Sequence, residues 1–383
     1  MRVFITTGAG LTLAACHSEK PIDPARTLVQ LDTTRGADSA FVVIRGLARD
    51  QLKAWQARPA TDPAWSRTFR IFATGNMTAP VAARYVANDT FIKVIPKTPL
   101  DRGQKYDVLI TPLTVEGETQ KPGRTTTIGL PATKTGAITQ VMRVIPDLAT
   151  LPENLLRLYI EFTGPMSREG GLSHVHLREV GGDSVRNAFL VVAGGDFWNA
   201  DRTRYTLFID PGHAKRGSAP SAPDAHPLVA GRNYELKIDS LWRDANGQFL
   251  GKAFVKGFRV EAAQLGPITL AEWKVIAPRA NTRDPLIVQF PRPLDYGLLK
   301  RALGVETSAG VAIAGVSLAD PSLREWRLIP AAPWSAGAHQ LTILPVLADL
   351  AGNRVNLAFD AGGFSLADTT STAPPSTVPF VIR

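Results

Sequence analysis

The stretch LFIDPGHAKRG, residues 207–217, sets His213, Lys215 and Arg216 directly after an apolar run. Those side chains in a glycine-bearing loop can hold an anion or move a proton on one. A phosphate loop would carry its lysine just after the second glycine and would open a helix. Here Lys215 precedes Gly217 and a Pro/Ser/Ala stretch, 216–227, follows. Asp210-Pro211-Gly212 suits a type I or II turn, with proline fixing φ at the second position and glycine accepting positive φ at the third. The motif therefore reads first as a strand-end elbow. If it binds anything, the ligand is acidic: Arg202, Arg204, His213, Lys215 and Arg216 would form a basic patch at that end of a sandwich, and Trp198, in GGDFWNADRTRY, would offer a ring to a sugar.

Two further groups bear on metals. SHVHLREV, residues 173–180, sets His174, His176 and Arg178 on one strand face, opposite Val175 and Leu177. Two imidazoles make a metal site only if a third ligand, such as His213 or His226, joins them, and the sequence fixes none. The turns RDANG (243–247) and ADLAGN (348–353) carry oxygens suited to calcium but lack the ligand density of a calcium loop, and Asx-turn chemistry explains them. The chain holds neither a Gly-x-Ser-x-Gly nor a His-Glu-x-x-His motif. No catalytic residue, metal site or cofactor is assigned.

What must position these residues is a turn-rich β architecture. The chain of 383 residues has 29 prolines and 32 glycines, with few long stretches of helical period, which points to an all-β protein. Helical turns are predicted only at 49–57 and 295–303, where apolar residues recur at three and four. The net charge is +9, but the 43 basic residues are scattered and no basic-aromatic nucleic-acid motif is present, so no nucleic-acid partner is expected.

The single cysteine, Cys16, ends MRVFITTGAGLTLAAC. Arg2 followed by a short apolar run and Ala14-Ala15 has the form of an export signal, too short to span a bilayer of about 30 Å. Leu13-Ala14-Ala15-Cys16 resembles the lipobox of bacterial lipoproteins, which implies lipidation of Cys16 and loss of residues 1–15. His17, where an aspartate would retain such a protein at the inner membrane, resembles lipoproteins sent to the outer membrane.

Internal repeats decide the layout. PKTPLDRGQKYDVLI (96–110), PLVAGRNYELKI (227–238) and PAAPWSAGAHQLTI (330–343) each set a bulky apolar residue (Leu100, Leu228, Trp334) three before a glycine (Gly103, Gly231, Gly337). An alternating strand follows, opened by Tyr106, Tyr234 or His339. YIEFTGPMSREG matches IVQFPRPLDYG, SLWRDANGQFL matches PVLADLAGNRVNLAF, and GFRVEA matches the terminal PFVIR. These residues resemble the bacterial Ig-like domains of the SbsA type, found in S-layer proteins, other surface proteins and lipoproteins. The resemblance implies three tandem Ig-like β-sandwiches: residues 22–132, divergent in the first half, then 133–263 and 264–383, linked by turn-like stretches such as LPATKTG and AAQLGP. Loops 216–227 and 366–379 are expected to be mobile.

The resulting expectation is a lipid-anchored cell-envelope protein, at the outer membrane, with a structural, scaffolding or binding role. Its partners would be the membrane, through its N-terminal lipid, and an envelope protein or acidic polysaccharide. The alternative is a carbohydrate-active or hydrolytic accessory enzyme with its site in the loops around 196–226.

Overall fold

The alternation of apolar and polar residues that marks the predicted strands builds sheets with one buried face. The structure, a computed structural model, describes residues 22–112, 122–134, 137–168, 170–191, 196–209, 227–359 and 373–383. The chain divides into two compact units, Met1–Ala132 and Thr133–Arg383.

In the first unit the order is β1 (Leu28–Asp32), β2 (Phe41–Arg45), α1 (Arg49–Ala57), α2 (Ala64–Thr68), β3 (Phe69–Ala73), β4 (Ala83–Ala87), β5 (Ile92–Pro96), β6 (Lys105–Ile110) and β7 (Arg124–Gly129). These form two sheets, β1-β2-β5-β4 and β3-β6-β7. Val42, Ile44, Ile92 and Val94 of the first pack on Phe69, Ile71, Val108 and Ile110 of the second in one core. Period-2 burial in facing sheets is what makes a sandwich. The helix α1 falls on 49–57 as predicted, burying Leu52 and Trp55.

The second unit continues with β8 (Val141–Ile145), β9 (Thr150–Pro152), β10 (Arg157–Phe162), β11 (Val175–Glu179), β12 (Arg204–Phe208), β13 (Asn233–Ile238) and β14 (Phe254–Glu261). There follow β15 (Lys274–Ile276), β16 (Leu286–Gln289), α3 (Tyr296–Ala302), β17 (Leu303–Thr307), β18 (Gly315–Ala319), β19 (Glu325–Pro330), β20 (Gly337–Ile343) and β21 (Ser376–Ile382). Its four sheets are β12-β10-β8, β11-β13-β14-β9, β15-β16-β19-β18 and β17-β20-β21. Each pair of sheets amounts to a seven-stranded sandwich of the Ig-like kind. The last strand starts at Ser376, so the tail of the expected loop 366–379 is ordered sheet, paired along β20.

Inside Thr133–Arg383 the two sandwiches are not beads on a flexing linker. A single apolar cluster runs through all four sheets, from Val141 to Ile382. AAQLGP is pinned from both sides: Gln264 and Asn154 exchange hydrogen bonds of 2.9 and 3.0 Å, and Asn353 donates to the Gln264 carbonyl at 3.0 Å.

The repeat has a common physical cause in all three copies. Gly103, Gly231 and Gly337 all have positive φ (71°, 88° and 122°), a region that side chains with a Cβ rarely enter. Leu100, Leu228 and Trp334 are buried beside them. The Tyr106 hydroxyl accepts from the Asp101 N–H at 2.9 Å and that of Tyr234 from the Val229 N–H at 3.1 Å, a tether like the tyrosine corner of Ig sandwiches. In the third copy His339 instead places Nδ1 3.1 Å from the Gly337 carbonyl. Tyr106→Phe or Tyr234→Phe strands a backbone N–H, and each is expected to lower the stability of its unit by about 1–2 kcal/mol in urea denaturation.

Candidate functional site

The side chains around β12 and the 3-10 turn Gly171–His174 occupy the region where the sequence concentrates candidate chemistry. Cys16, His213, Lys215, Arg216 and the DPGHAKRG turn lie outside the described residues, as does His226. Of the region 196–226, the structure describes 196–209.

Arg202 and Arg204 do not point into a common patch. Arg202, with φ of 55°, turns the corner before β12 and donates to the Met166 carbonyl at 2.8 Å. The Arg204 guanidinium lies 5.6 Å from the Tyr159 ring and 5.9 Å from the Tyr296 ring, between the two sandwiches. Trp198 is half-buried: its ring lies 4.8 to 5.8 Å from those of Tyr205, Trp242 and Phe162, and its indole N–H donates to the Arg168 carbonyl. Its partners are aromatic side chains of the core.

The two histidines part company. His176 is exposed on β11, as its alternation with buried Val175 and Leu177 requires, and its Nε2 lies 2.8 Å from Asp239. His174 instead ends the 3-10 turn, its ring stacked on Trp242 at 5.8 Å. Among the described residues no group of three His, Cys, Asp or Glu side chains could hold a metal ion. The carboxylates of the two Asx turns are already engaged. Asp244 accepts from Thr139, Asn246 and Gln248. Asp349 accepts from Ala351 and Asn353 and pairs with Arg292.

Behind Trp198 the structure assembles a group that no sequence spacing announced. Asp196 accepts from the Tyr205 hydroxyl at 2.7 Å and the Gly171 N–H at 3.1 Å, against an aromatic wall of Trp242 and Trp198. Trp242 is fully buried and its indole N–H has no hydrogen-bond partner among the described residues. Gly171 is required by close approach, because a Cβ there would stand 2.8 Å from Trp242.

Burial raises the Asp196 pKa, outweighing the hydrogen bonds from Tyr205 and Gly171, and pushes that of Tyr205 well up. Burial also lowers the His174 pKa. A carboxyl whose folded pKa exceeds its ordinary 3.8 contributes stability that is fully present below 3.8 and lost as pH rises through the folded value. His174 has the opposite sign: its contribution is present above 6.5 and lost as pH falls below it. Asp196→Asn keeps an acceptor for Tyr205 and cannot ionise. Its stability relative to the parent chain, read from urea midpoints, should therefore rise as pH climbs from 3.8.

A close set of polar contacts joins the two sandwiches of Thr133–Arg383. Tyr159 donates to Asp295 Oδ1 at 2.6 Å, Arg157 reaches Oδ2 at 3.2 Å, and the same carboxylate caps α3 by accepting from the Leu298 N–H at 3.0 Å. Beside it Glu161 accepts from Arg143 and from the Tyr296 hydroxyl, both at 2.8 Å. Burial pushes the Glu161 carboxyl up, but these two donors and the Arg143 charge outweigh it and hold its pKa low. Charges taken from water need this degree of satisfaction.

No protein-family model and no curated protein matches the chain. Among solved structures it is similar to native alpha-2-macroglobulin from Escherichia coli (domains MG0-NIE-MG1), with 11% identity over 87% of this chain and 96% of that one and a TM-score of 0.20. It is similar to domains 1–6 of the surface layer protein SbsC at 12% identity, covering 91% of this chain and 40% of that one, with a TM-score of 0.17. Titin domains z1z2, solved with telethonin, match 55% of this chain and 91% of their own at 13% identity, again with a TM-score of 0.17. Overlaps this slight carry no argument, and the all-β Ig-like reading rests on the sheets themselves.

Proposed function

We propose that this is a cell-envelope protein held to a membrane by lipid on Cys16, with its Ig-like sandwiches serving a structural, scaffolding or binding role. One observation carries the reading. Four of the described groups that the sequence offered for chemistry are committed to holding sandwiches together, Arg202 to a backbone corner, Arg204 to the inter-sandwich rings, Trp198 and His174 to the aromatic core, while His176 stays exposed beside Asp239. Side chains with those commitments stiffen a surface for display and have no freedom to follow a reacting group. The export-like apolar run and the single cysteine supply the anchor in this reading, since two or more acyl chains hold a protein on a bilayer stably. The SbsA-type resemblance and placement at the outer membrane belong to the same proposal.

Cell fractionation tests it. The parent chain should sediment with membranes, and Cys16→Ser should move to the soluble fraction. A Cys16→Ser protein that still partitions with membranes would sink the anchor.

A further inference from the structure

Outside the region just described, the outer face of the sheet β1-β2-β5-β4 combines cations and rings in an ordered way. Val29, Leu31, Val42, Ile44, Ile92 and Val94 face the core; by alternation their neighbours face outward. One row on this face sets Leu28 beside Arg45, whose guanidinium lies 5.0 Å from the Phe91 ring. The next aligns Gln30, Val43, Lys93 and Val86. The third sets Asp32 beside Phe41 and Ile95 beside Arg84. The Lys93 ammonium lies 4.6 Å from the Phe41 ring and 5.2 Å from that of Phe91.

Arg45, Lys93 and Arg84 therefore stand on three neighbouring strands, each one strand across and two residues along from the last. From strand spacing and rise, the step is about 8 Å. None of the three forms a close ion pair among the described residues, although, beside the hydrogen bonds from Thr34, the Lys93 charge reaches the Asp32 carboxylate and helps to lower its pKa. The single acid in these rows, Asp32, accepts hydrogen bonds from the Thr34 N–H and hydroxyl.

We propose that this face binds an acidic polysaccharide, whose carboxylates meet Arg45, Lys93 and Arg84 in turn. The proposal names a face and a ligand class for the binding role given above, and rests on that role. An oblique line of evenly spaced cations fits a linear polyanion crossing the strands, whereas one small anion meets only one of them. Single-stranded nucleic acid is held by stacking its bases on open aromatic rings, and here the rings are taken: Phe41 is 7% exposed and Lys93 lies over it and Phe91. Val43, between Arg45 and Lys93, is buried, and what remains open beside the line of cations is aliphatic, with Leu28 52% and Val86 38% exposed. That surface suits the C–H faces of sugar rings.

The test is fluorescence polarisation of labelled polygalacturonate with the full chain carrying Cys16→Ser, which separates this question from anchoring. The parent protein should bind, with affinity falling as salt rises, and Arg45→Glu/Arg84→Glu should weaken binding at least tenfold while the melting midpoint is unchanged. Lys252→Glu/Lys274→Glu, an equal charge change elsewhere, should leave binding nearly intact. The proposal fails if the control pair weakens binding equally, if the Arg45/Arg84 pair has no effect, or if neutral dextran or a single-stranded oligonucleotide binds as tightly as the polyuronate. If fractionation shows no anchor while polyuronate still binds, the anchoring falls and this face stands.

Discussion

Asp295→Ala is expected to destabilise Thr133–Arg383 by about 3–5 kcal/mol, the loss typical of breaking one side of a buried ion pair. The carboxylate is 4% exposed as a side chain and the Arg157 partner 13%. Removing it leaves a guanidinium without its counter-charge in the interior, takes the acceptor from the Tyr159 hydroxyl, and uncaps α3. The cap alone is typically worth about 1 kcal/mol. Because these contacts join two sandwiches that share a core, the loss should appear as an earlier unfolding of the unit as a whole in urea. Replacing both partners, Arg157→Met with Asp295→Leu, should recover much of it, since apolar pairs of similar volume often substitute for buried ions without penalty. If Asp295→Ala shifts the midpoint no more than an exposed substitution does, the junction is not the brace that its geometry makes it.

Trp242→Ala carries the other large effect, about 3–5 kcal/mol, as for other buried tryptophans cut to alanine. Its ring lies 5.1 Å from Phe162, 5.4 Å from Tyr205, 5.7 Å from Trp198 and 5.8 Å from His174. Since its indole N–H has no acceptor among the described residues, the loss is one of packing. Trp242→Phe, which keeps an edge-to-face ring, should cost clearly less, and near-UV circular dichroism should follow the collapse of the cluster in the alanine variant. Equal losses in the two variants would mean that the indole is held by something other than its ring contacts.

Much of the fold was legible because its signals are local. The repeated step from bulky apolar residue to glycine to alternating strand reports a turn that must enter positive φ and a sheet that buries one face, and Gly103, Gly231 and Gly337 do so. The helix at 49–57 is readable from Leu52 and Trp55 three apart, and the second predicted helix, 295–303, falls on α3 but begins one residue early, because Asp295 is its cap and not its first turn. The matched turns at 243–247 and 348–353 hold equivalent buried aspartates, Asp244 and Asp349, as the internal alignment implies.

The candidate site was less legible. Arg202, Arg204 and Trp198 were grouped by nearness in sequence, yet each finds a different partner across the fold. His174 and His176 were set on one strand face by a two-residue period, but the strand begins only at Val175, and the residue before it belongs to a 3-10 turn that swings its ring onto Trp242. Asp196 carries no sequence signal: the acceptor for Tyr205 is an ordinary acid in GGDFW until the chain brings Gly171 and Trp242 around it.

By itself the sequence determined the all-β class, the three repeats, the turn glycines and the strand faces, because each follows from steric and burial preferences of residues within a few positions. Strand pairing and packing alone make the second and third sandwiches share one core, bring Tyr159 and Arg157 to Asp295 more than a hundred positions away, and set Arg45, Lys93 and Arg84 one strand across and two residues along from each other. Those arrangements depend on strand register and sheet packing, which couple distant residues through geometry that no local spacing encodes.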